Sequence, residues 1–568
     1  MTRLYVKHII FASHGLHSLV KKGWGHMSDY TRGMELERQI GQLLSVGFYG
    51  TTPTPEIIDL IQNHHVGNII FFARNIESAH QVHQLTSELQ RIARDAGHPY
   101  PLLISTDQEN GMVRRFGKSA TSFPGNMALG AIDSEQETYE ITLATGKELK
   151  ALGVNMNLAP VADVNNNPAN PVIGVRSFGE HAPHVSRHLV AAIKGYQEAG
   201  VVTNLKHFPG HGDTAVDSHQ ALPVIPHTLE RLEEIELVPF RAGIATGADS
   251  IMIAHVYLPA LMKEEMLPAT ISREIITGLL RERLGFNGVI TTDCLEMNAL
   301  ADTVGIPRGT VMALQAGADI ALISHHYEYQ KAGLAAVLEA VQKGELTEAQ
   351  ITTAAERVLQ LKASYLSWDD LPGEESVRQI ATPEHLDLSK RSFAHSTTLV
   401  RNAQQLVPVT GEQAQHPLFL FPETDHATFA ADRYPSLEEL QTAITEHFPT
   451  AEVLAVPSQR DEATEARLQE AIAGSSTLVV VTVNANRYQP QADLVHSLLQ
   501  QEKPVIGLAV YDPYDLLTFP ELETYLVTYE YTLPAFEAAL DVLQGKQTAQ
   551  GKLPVSIPGL HERGHRAE

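Results

Sequence analysis

Short apolar, β-branched runs recur along the first two thirds of the chain, each closed by polar residues and followed by a longer amphipathic stretch. This alternation predicts parallel strands that are joined by helices. We count eight predicted strands, at Leu43–Phe48, Asn68–Phe72, Leu102–Thr106, Val154–Ala159, Val201–Leu205, Ser250–Ala254, Gly288–Thr292 and Asp319–Ile323. Eight strand–helix units over about 320 residues are typical of a (β/α)₈ TIM barrel.

A polar stretch separates this region from a second alternating pattern. The amphipathic segment Glu348–Leu366 is predicted to be the last helix that packs on the barrel. Further predicted strands, at Leu418–Phe421, Val453–Val456, Leu478–Val483, Val505–Val510 and Tyr525–Thr528, alternate with helices and indicate a smaller doubly wound α/β sandwich domain. We therefore divide the chain into an irregular N-terminal extension (1–35), a barrel (36–366), a linker (367–388) and the α/β sandwich domain (389–568).

Composition narrows the classes of partner. The 568-residue chain has 42 basic and 67 acidic residues and a net charge of −25, which repels nucleic acid and anionic membranes. It has one cysteine, Cys294, so no intrachain disulfide is available and the chain fits a reducing compartment. No apolar run is long enough for a membrane span, and charged or histidine residues interrupt the apolar positions near the start. We expect a cytoplasmic protein with neither nucleic-acid partner nor membrane span; its oligomeric state is not readable.

Polar residues follow most of the predicted barrel strands, and in a TIM barrel the reactive groups lie at the carboxyl ends of the strands. The residues at these positions are Asp107, Asp163, Lys206, His207, His255 and Asp293. Any one of them can also serve as a helix cap or satisfy a loop. Because several occur together, the sequence predicts a polar site at the barrel mouth.

The densest group of such residues is KHFPGHGDTAVDSH, which follows the fifth predicted strand at 206–219. Its glycines and proline indicate a loop on which polar side chains can converge. Asp217 and His219 are two residues apart, so in an extended stretch they point the same way. The carboxylate can then hold the imidazole in one tautomer and raise its basicity, which is suited to proton transfer.

Two other segments carry candidate chemistry. Asp293 follows a strongly apolar strand, a placement that suits a rigidly aimed nucleophile. The segment DQENGMVRRF begins at Asp107 and includes Arg115, and Arg176 lies beyond the fourth strand. These carboxylate and guanidinium groups can bind sugar hydroxyls as acceptor and donors, or can pair with each other.

The order of KHFPGHG, DTAVDSH and VITTDCLEM resembles glycoside hydrolase family 3, in its bacterial β-N-acetylhexosaminidase branch. The likeness covers roughly Leu36 to Leu366 and extends to the two-domain layout. It implies Asp293 as nucleophile, His219 as proton donor and acceptor, and Asp217 as the partner that orients His219. It also implies a set of ligands for a terminal N-acetylglucosamine: Asp107, Arg115, Arg176, Lys206 and His207. Neither a metal nor another cofactor is implied.

The resemblance predicts a retaining enzyme that releases terminal β-linked N-acetylglucosamine from a small carbohydrate or glycopeptide, in cell-wall (peptidoglycan) or chitin-fragment turnover. Two residues depart from the family pattern, Asn110 in place of a glycine and Cys294 directly after the expected nucleophile. Four alternatives stay open at this point. They are a phosphorylase, since a histidine base does not repel phosphate; a β-glucosidase; a non-catalytic sugar-binding protein; and a zinc hydrolase that uses His207, His211, Asp213, Asp217 and His219.

Overall fold

A computed structural model describes residues 30–218, 221–262, 266–423 and 431–567. Residues 1–29 of the predicted N-terminal extension lie outside the described residues, as does His219 of the predicted acid/base pair. Residues 30–35 form a turn and a short connection that lead into the first helix at Leu36.

The first sheet is a closed barrel of eight parallel strands, ordered β1-β10-β9-β8-β7-β6-β3-β2. The strands are β1 (Leu44–Val46), β2 (Asn68–Phe71), β3 (Leu103–Thr106), β6 (Met156–Asn157), β7 (Val202–Phe208), β8 (Ser250–Ile253), β9 (Val289–Cys294) and β10 (Ile320–Ile323). All eight predicted barrel strands are confirmed. Between β3 and β6 the chain also forms a hairpin that the hydrophobic pattern did not predict, β4 (Gln108–Asn110) with β5 (Val113–Arg114).

Helices surround the barrel on its outside. They are α1 (Leu36–Gly41), α2 (Pro55–Gln62), α3 (Ala79–Asp95), α4 (Asn126–Ile132), α5 (Glu135–Ala151), α6 (Ala182–Glu198), α7 (Leu229–Glu234), α8 (Leu237–Thr246), a π-helical segment (Glu274–Arg283), α9 (Asn298–Val304), α10 (Ile306–Ala316), α11 (Tyr327–Gln342) and α12 (Glu348–Tyr365). Several begin at a side-chain cap, as where Thr347 Oγ1 accepts a hydrogen bond from the backbone N–H of Gln350.

An apolar layer fills the barrel below its mouth. Ile70, Leu103 and Leu322 point inward from three strands and pack in one cluster with Val358 and Leu361 of α12. The predicted last helix therefore closes the barrel from below, and the barrel is a packed core rather than a pore. A polar site can therefore lie only at the other end of the barrel, where the carboxyl ends of the strands are.

The second sheet has six strands in the order β11-β16-β15-β14-β12-β13. These are β11 (Thr398–Asn402), β12 (Pro417–Pro422), β13 (Glu452–Val456), β14 (Thr477–Thr482), β15 (Val505–Ala509) and β16 (Thr524–Val527), with helices α14 (Leu437–His447), α15 (Glu462–Gly474), α16 (Gln489–Leu499) and α17 (Leu533–Gln544). Five strands are parallel, as predicted; the edge strand β11 is antiparallel to β16 and was not predicted. The predicted fold class, a TIM barrel followed by a smaller α/β domain, is confirmed.

The segment 367–388, which was predicted to be a linker, packs against the barrel. It contains a 3₁₀ turn, Glu374–Gln379, and the start of α13 (Pro383–Ser396). Ser376 Oγ donates to the Ala151 carbonyl at 2.7 Å, and His385 Nδ1 lies 2.7 Å from Glu148 Oε1. The polar composition that predicted a linker here serves these hydrogen bonds.

Within the described residues, we find no helix that combines the length and the apolar character needed to cross a bilayer.

Candidate active site

A cavity of 360 Å³ lies at the carboxyl ends of the barrel strands. Its polar lining side chains come from the ends of six barrel strands and the loops that follow them: Arg74, Asp107, Glu109, Arg115, Arg176, Lys206, His207, His211, Ser218, Asp293, Ser324 and His325. Six residues that the sequence placed in the site, Asp107, Arg115, Arg176, Lys206, His207 and Asp293, therefore share this one cavity. The size is within the range of small-ligand sites.

Asp293 reaches the cavity from β9, whose other residues are buried. Its own Oδ1 accepts a hydrogen bond from the backbone N–H of Cys294 at 2.7 Å. A side chain on a buried strand with a carboxylate oxygen held by backbone has a restricted position. That restriction suits a group that must be aimed at a substrate atom.

Lys206, Asp107, Glu109 and Arg176 form one network on the neighbouring wall. Lys206 Nζ lies 2.6 Å from Asp107 Oδ1 and 2.6 Å from Glu109 Oε1. Arg176 donates from Nε and Nη2 to the two Glu109 oxygens, at 2.9 and 2.8 Å. Two of the three cations proposed from sequence as sugar ligands, Arg176 and Lys206, are thus positioned by the carboxylate of Glu109, for which the sequence suggested no role.

Glu109 carries its charge although it is fully buried. Burial raises the pKa of the Glu109 carboxyl, but the adjacent guanidinium of Arg176 and ammonium of Lys206 outweigh burial and hold that pKa well below its usual range. Glu109 in turn raises the pKa of Arg176 above its ordinary value against the effect of burial. Buried charges persist only when they are paired and hydrogen-bonded in this way, so the wall is rigid and ionised.

A second buried carboxylate, Asp163, organises the histidines of the loop after β7. Its Oδ2 lies 2.7 Å from His207 Nδ1, and its Oδ1 accepts from the backbone N–H of His211 at 2.7 Å. Burial raises the pKa of Asp163, yet the neighbouring His207 brings it below the ordinary value. An ionised Asp163 accepts from Nδ1–H of His207, and the other ring nitrogen, Nε2, lies 3.3 Å from Arg176 Nη2.

The remainder of this loop brings the predicted acid/base segment to the cavity. His211 Nδ1 lies 2.8 Å from Thr214 Oγ1, and its Nε2 lies 3.1 Å from Ser218 Oγ. Burial lowers the pKa of His211 to about 4, so its ring is neutral at ordinary pH. Asp217 is buried and Ser218 lines the cavity. These hydrogen bonds therefore fix the position of the loop as far as Ser218, the residue directly before position 219.

The second domain holds one wall of the site in place, although none of its described residues lines the cavity. Asp432 Oδ2 accepts from Arg115 Nη1 at 3.0 Å and from the backbone N–H of Arg114 at 2.7 Å. The Asp432 backbone N–H donates to the Met112 carbonyl at 2.9 Å. Because Arg115 also lies 3.8 Å from Asp107, the sandwich domain fixes the hairpin that carries one wall of the cavity.

The two departures from the family pattern are accommodated. Asn110 adopts φ +70°, a left-handed conformation that asparagine tolerates better than most residues, and its Nδ2 donates to Thr145 Oγ1 at 3.0 Å. Cys294 is buried in the cluster that fills the barrel, and burial raises the pKa of its thiol to about 12. The Asn110 side chain therefore anchors the hairpin to α5, and the Cys294 side chain packs within the barrel.

Three groups of side chains among the described residues are close enough to hold a metal ion: Asp133–His184–His188, Asp213–His227–Glu236 and Cys294–Glu296–His325. The ring nitrogens of His207 and His211, which the zinc alternative would use, contact Asp163, Arg176, Thr214 and Ser218 instead. The geometry of the described part of this loop favours a hydrogen-bonded network over a metal centre.

Sequence reasoning missed three residues that line the cavity, Arg74, Glu109 and His325, and it missed Asp432, which positions Arg115. Glu109 lies two residues after Asp107, in the hairpin that was also not predicted. A single sequence contains no pattern that identifies a buried carboxylate as the bidentate partner of Arg176. His325 directly follows the eighth strand and its closing Ser324, so the rule that selected Asp293 would have selected it too.

Replacement of Asp432 by asparagine is expected to raise KM for the substrate about five- to tenfold while kcat changes less. Asparagine keeps the size of the side chain but removes the charge that holds Arg115, a loss on the order of 1 kcal/mol for a partly buried pair. Steady-state kinetics of the full chain measure the effect.

Glu439→Gln is the matched control for Asp432→Asn. It removes another ion pair between the two domains, Lys118–Glu439, in which the lysine side chain is 94% exposed and outside the cavity. An equal rise in KM in the control would show that domain docking, and not the position of Arg115, is responsible.

A closed parallel barrel with carboxylates, imidazoles and cations converging at the carboxyl ends of its strands defines a TIM-barrel enzyme. The family model "Glycosyl hydrolase family 3 N terminal domain" matches residues 35–361. The chain belongs to glycosyl hydrolase family 3, and it is similar over most of its length to relatives that are glycosidases.

Among these relatives, β-hexosaminidase A of Pseudoalteromonas piscicida is 32% identical over 565 residues, covering 89% of this chain and 92% of its own. A solved family 3 β-N-acetylglucosaminidase from Paenibacillus sp. str. FPU-7 is 41% identical with a TM-score of 0.85, over 92% of this chain and 99% of that one. A fungal multi-domain family 3 β-N-acetylglucosaminidase is 42% identical with a TM-score of 0.89; the match covers 94% of this chain but only 62% of the fungal one.

Proposed function

We propose that this protein is a retaining β-N-acetylglucosaminidase that hydrolyses terminal β-linked N-acetylglucosamine. One observation carries the proposal: the Asp293 carboxylate lines the same cavity as the five predicted sugar ligands and as Ser218, the residue before His219. The names of the two similar solved structures, both β-N-acetylglucosaminidases, support N-acetylglucosamine as the sugar.

In the proposed mechanism the buried network holds the sugar. Asp107 accepts from sugar hydroxyls, and Lys206 and Arg176 donate, because their ion pairs with Glu109 leave other N–H groups for the cavity. A pre-formed array of ionised donors and acceptors costs little reorganisation when the substrate binds.

The reaction proceeds in two steps. The Asp293 oxygen attacks the anomeric carbon while protonated His219 gives its proton to the departing oxygen, so a covalent glycosyl-enzyme forms as the aglycone leaves. Neutral His219 then takes a proton from water, whose oxygen attacks the same carbon and releases Asp293. Two displacements at one carbon retain its configuration. Asp217 orients the imidazole between these steps.

The test is a panel of 4-nitrophenyl β-glycosides of N-acetylglucosamine, N-acetylgalactosamine and glucose, each with and without inorganic phosphate. We expect kcat/KM for N-acetylglucosamine to exceed that for glucose by at least about 10²-fold, since a site that hydrogen-bonds the acetamide leaves its own polar groups unpaired when glucose binds. The released product is expected to be the free sugar in both buffers. Faster release of glucose, or a sugar phosphate as product, would replace this proposal by the β-glucosidase or the phosphorylase alternative.

A further inference from the structure

A second cavity opens beside the catalytic one, at the same end of the barrel. It has a volume of 640 Å³ and lies between the segment after β1 and the start of α11. Two large aromatic side chains border it that are unusually open to solvent, Tyr49 (58% exposed) and Tyr329 (44% exposed). We call it the Tyr49–Tyr329 groove. Exposed aromatic surface next to an active site marks a binding surface rather than ordinary packing.

The groove adjoins the catalytic cavity. His325 lines both, and its ring lies 5.2 Å from the ring of Phe72, which lines the catalytic side. Arg74 also lines the catalytic cavity, and its guanidinium carbon lies 4.3 Å from the centroids of both the Tyr49 and the Phe72 rings. A ligand that extends out of the catalytic cavity therefore passes directly into the groove.

Hydrogen bonds hold the walls of the groove in place. Arg74 donates to the Phe48 carbonyl at 2.9 Å and to the Ser324 carbonyl at 2.7 Å, which ties the loops after β1 and β10 together. The buried Glu296 carboxylate accepts from the backbone N–H of His326 at 3.0 Å and lies 2.6 Å from its Nδ1. The His326 ring in turn meets the Tyr329 ring edge-on, 5.4 Å between centroids. The aromatic rings are thus presented by a fixed frame.

We propose that the Tyr49–Tyr329 groove binds the sugar on the reducing side of the scissile bond, a neutral β-linked N-acetylglucosamine unit of a chitooligosaccharide. This inference rests on the proposed function, and it names the substrate class. A pyranose presents an apolar face of C–H groups that packs against an aromatic ring, and its hydroxyls stay available to the polar edges of tyrosine and histidine.

The charges around the groove favour a neutral sugar over an anionic one. Glu56 and Glu328 line it, and the Arg74 guanidinium lies over two aromatic rings and donates to two carbonyls. A muropeptide would bring carboxylates towards these acidic residues on a chain of net charge −25. A chitooligosaccharide brings none.

The experiment compares two substrates that share the cleaved sugar but differ in what fills the groove. N,N′-diacetylchitobiose places a sugar there, whereas methyl β-N-acetylglucosaminide places only a methyl group near its edge. In the full-length Tyr49→Ala/Tyr329→Ala variant we expect kcat/KM to fall about tenfold for chitobiose and to change less than about twofold for the methyl glycoside. Tyr49→Phe/Tyr329→Phe, which keeps both rings, should retain most of the chitobiose activity.

Leu386→Ala serves as the control for loss of an exposed apolar side chain, since Leu386 is 52% exposed and borders neither cavity. Equal losses on both substrates, or an unchanged rate with chitobiose, would overturn the groove proposal while leaving the proposed function standing. An N-acetylglucosaminyl muropeptide is added as a third substrate, and a loss confined to it would assign the groove to that anionic aglycone instead. If the wild type releases N-acetylglucosamine from no substrate, the proposed function itself fails.

Discussion

The Asp293→Asn variant is expected to lose kcat/KM by about 10⁴-fold or more, with the fold intact. The amide keeps the shape of the side chain and its contact with the backbone N–H of Cys294, but it cannot form the glycosyl-enzyme. Losses of this size are usual when a covalent nucleophile is removed. Release of 4-nitrophenol from the aryl N-acetylglucosaminide measures the rate, and thermal unfolding monitors the fold.

Two further measurements make the role of Asp293 specific. Asp302→Asn, a substitution at an exposed residue of α9, is the control for loss of a nearby negative charge and should keep wild-type activity. In Asp293→Gly, added azide should restore part of the rate and give the α-glycosyl azide, because the small anion attacks from the side that the carboxylate has vacated. Wild-type rates in Asp293→Asn would show that the nucleophile lies elsewhere.

The His219→Ala variant is expected to slow substrates according to their leaving group. General-acid catalysis is worth about 10²- to 10⁴-fold, so kcat/KM for chitobiose should fall by that amount. Aryl glycosides whose phenol leaves readily need little proton donation and should lose less than about tenfold in kcat/KM. A plot of log kcat/KM against the pKa of the leaving phenol should therefore become steeper in the variant than in the wild type.

Asp217→Asn is expected to steepen the same plot to a smaller extent, because it leaves the imidazole in place but removes its charged partner. His227→Ala is the control: its ring lies 2.7 Å from Asp213 in the same region and does not line the cavity. Should His219→Ala slow all substrates equally, the residue would be a structural or binding group and another acid would have to be sought.

Most of the architecture was predictable because it depends on local periodicity. Each barrel strand is a short apolar run between polar residues, and such a run is readable wherever both faces of the strand are buried. The strands that were missed lack this signal. Residues 108–114 are largely polar and form a hairpin that Asp432 holds through Arg114 and Arg115. β11 is a sheet edge that pairs with a strand more than 100 residues away.

The residues of the site also differ in how well local sequence predicts them. Asp107, Lys206, His207 and Asp293 were found from sequence because a barrel brings the carboxyl ends of all its strands to one mouth, so position along the chain predicts position in space. Their roles, and that of His219, remain predictions for the experiments above. The sequence did not show which charged side chains pair with each other. A carboxylate that follows a strand has the same local sequence whether it binds a sugar or a guanidinium.

The sequence by itself determined the eight barrel strands and the family, and it predicted the end of the barrel at which the chemistry lies. Only the tertiary structure decided that Glu109 holds Arg176 and Lys206, that the second domain reaches the site through Asp432, and that Tyr49 and Tyr329 face one groove although 280 residues separate them. The reason is physical. The periodicity of strands and helices is determined by residues that are neighbours in the sequence. Ion pairing and the shape of a cavity depend on side chains that only the closed barrel brings together.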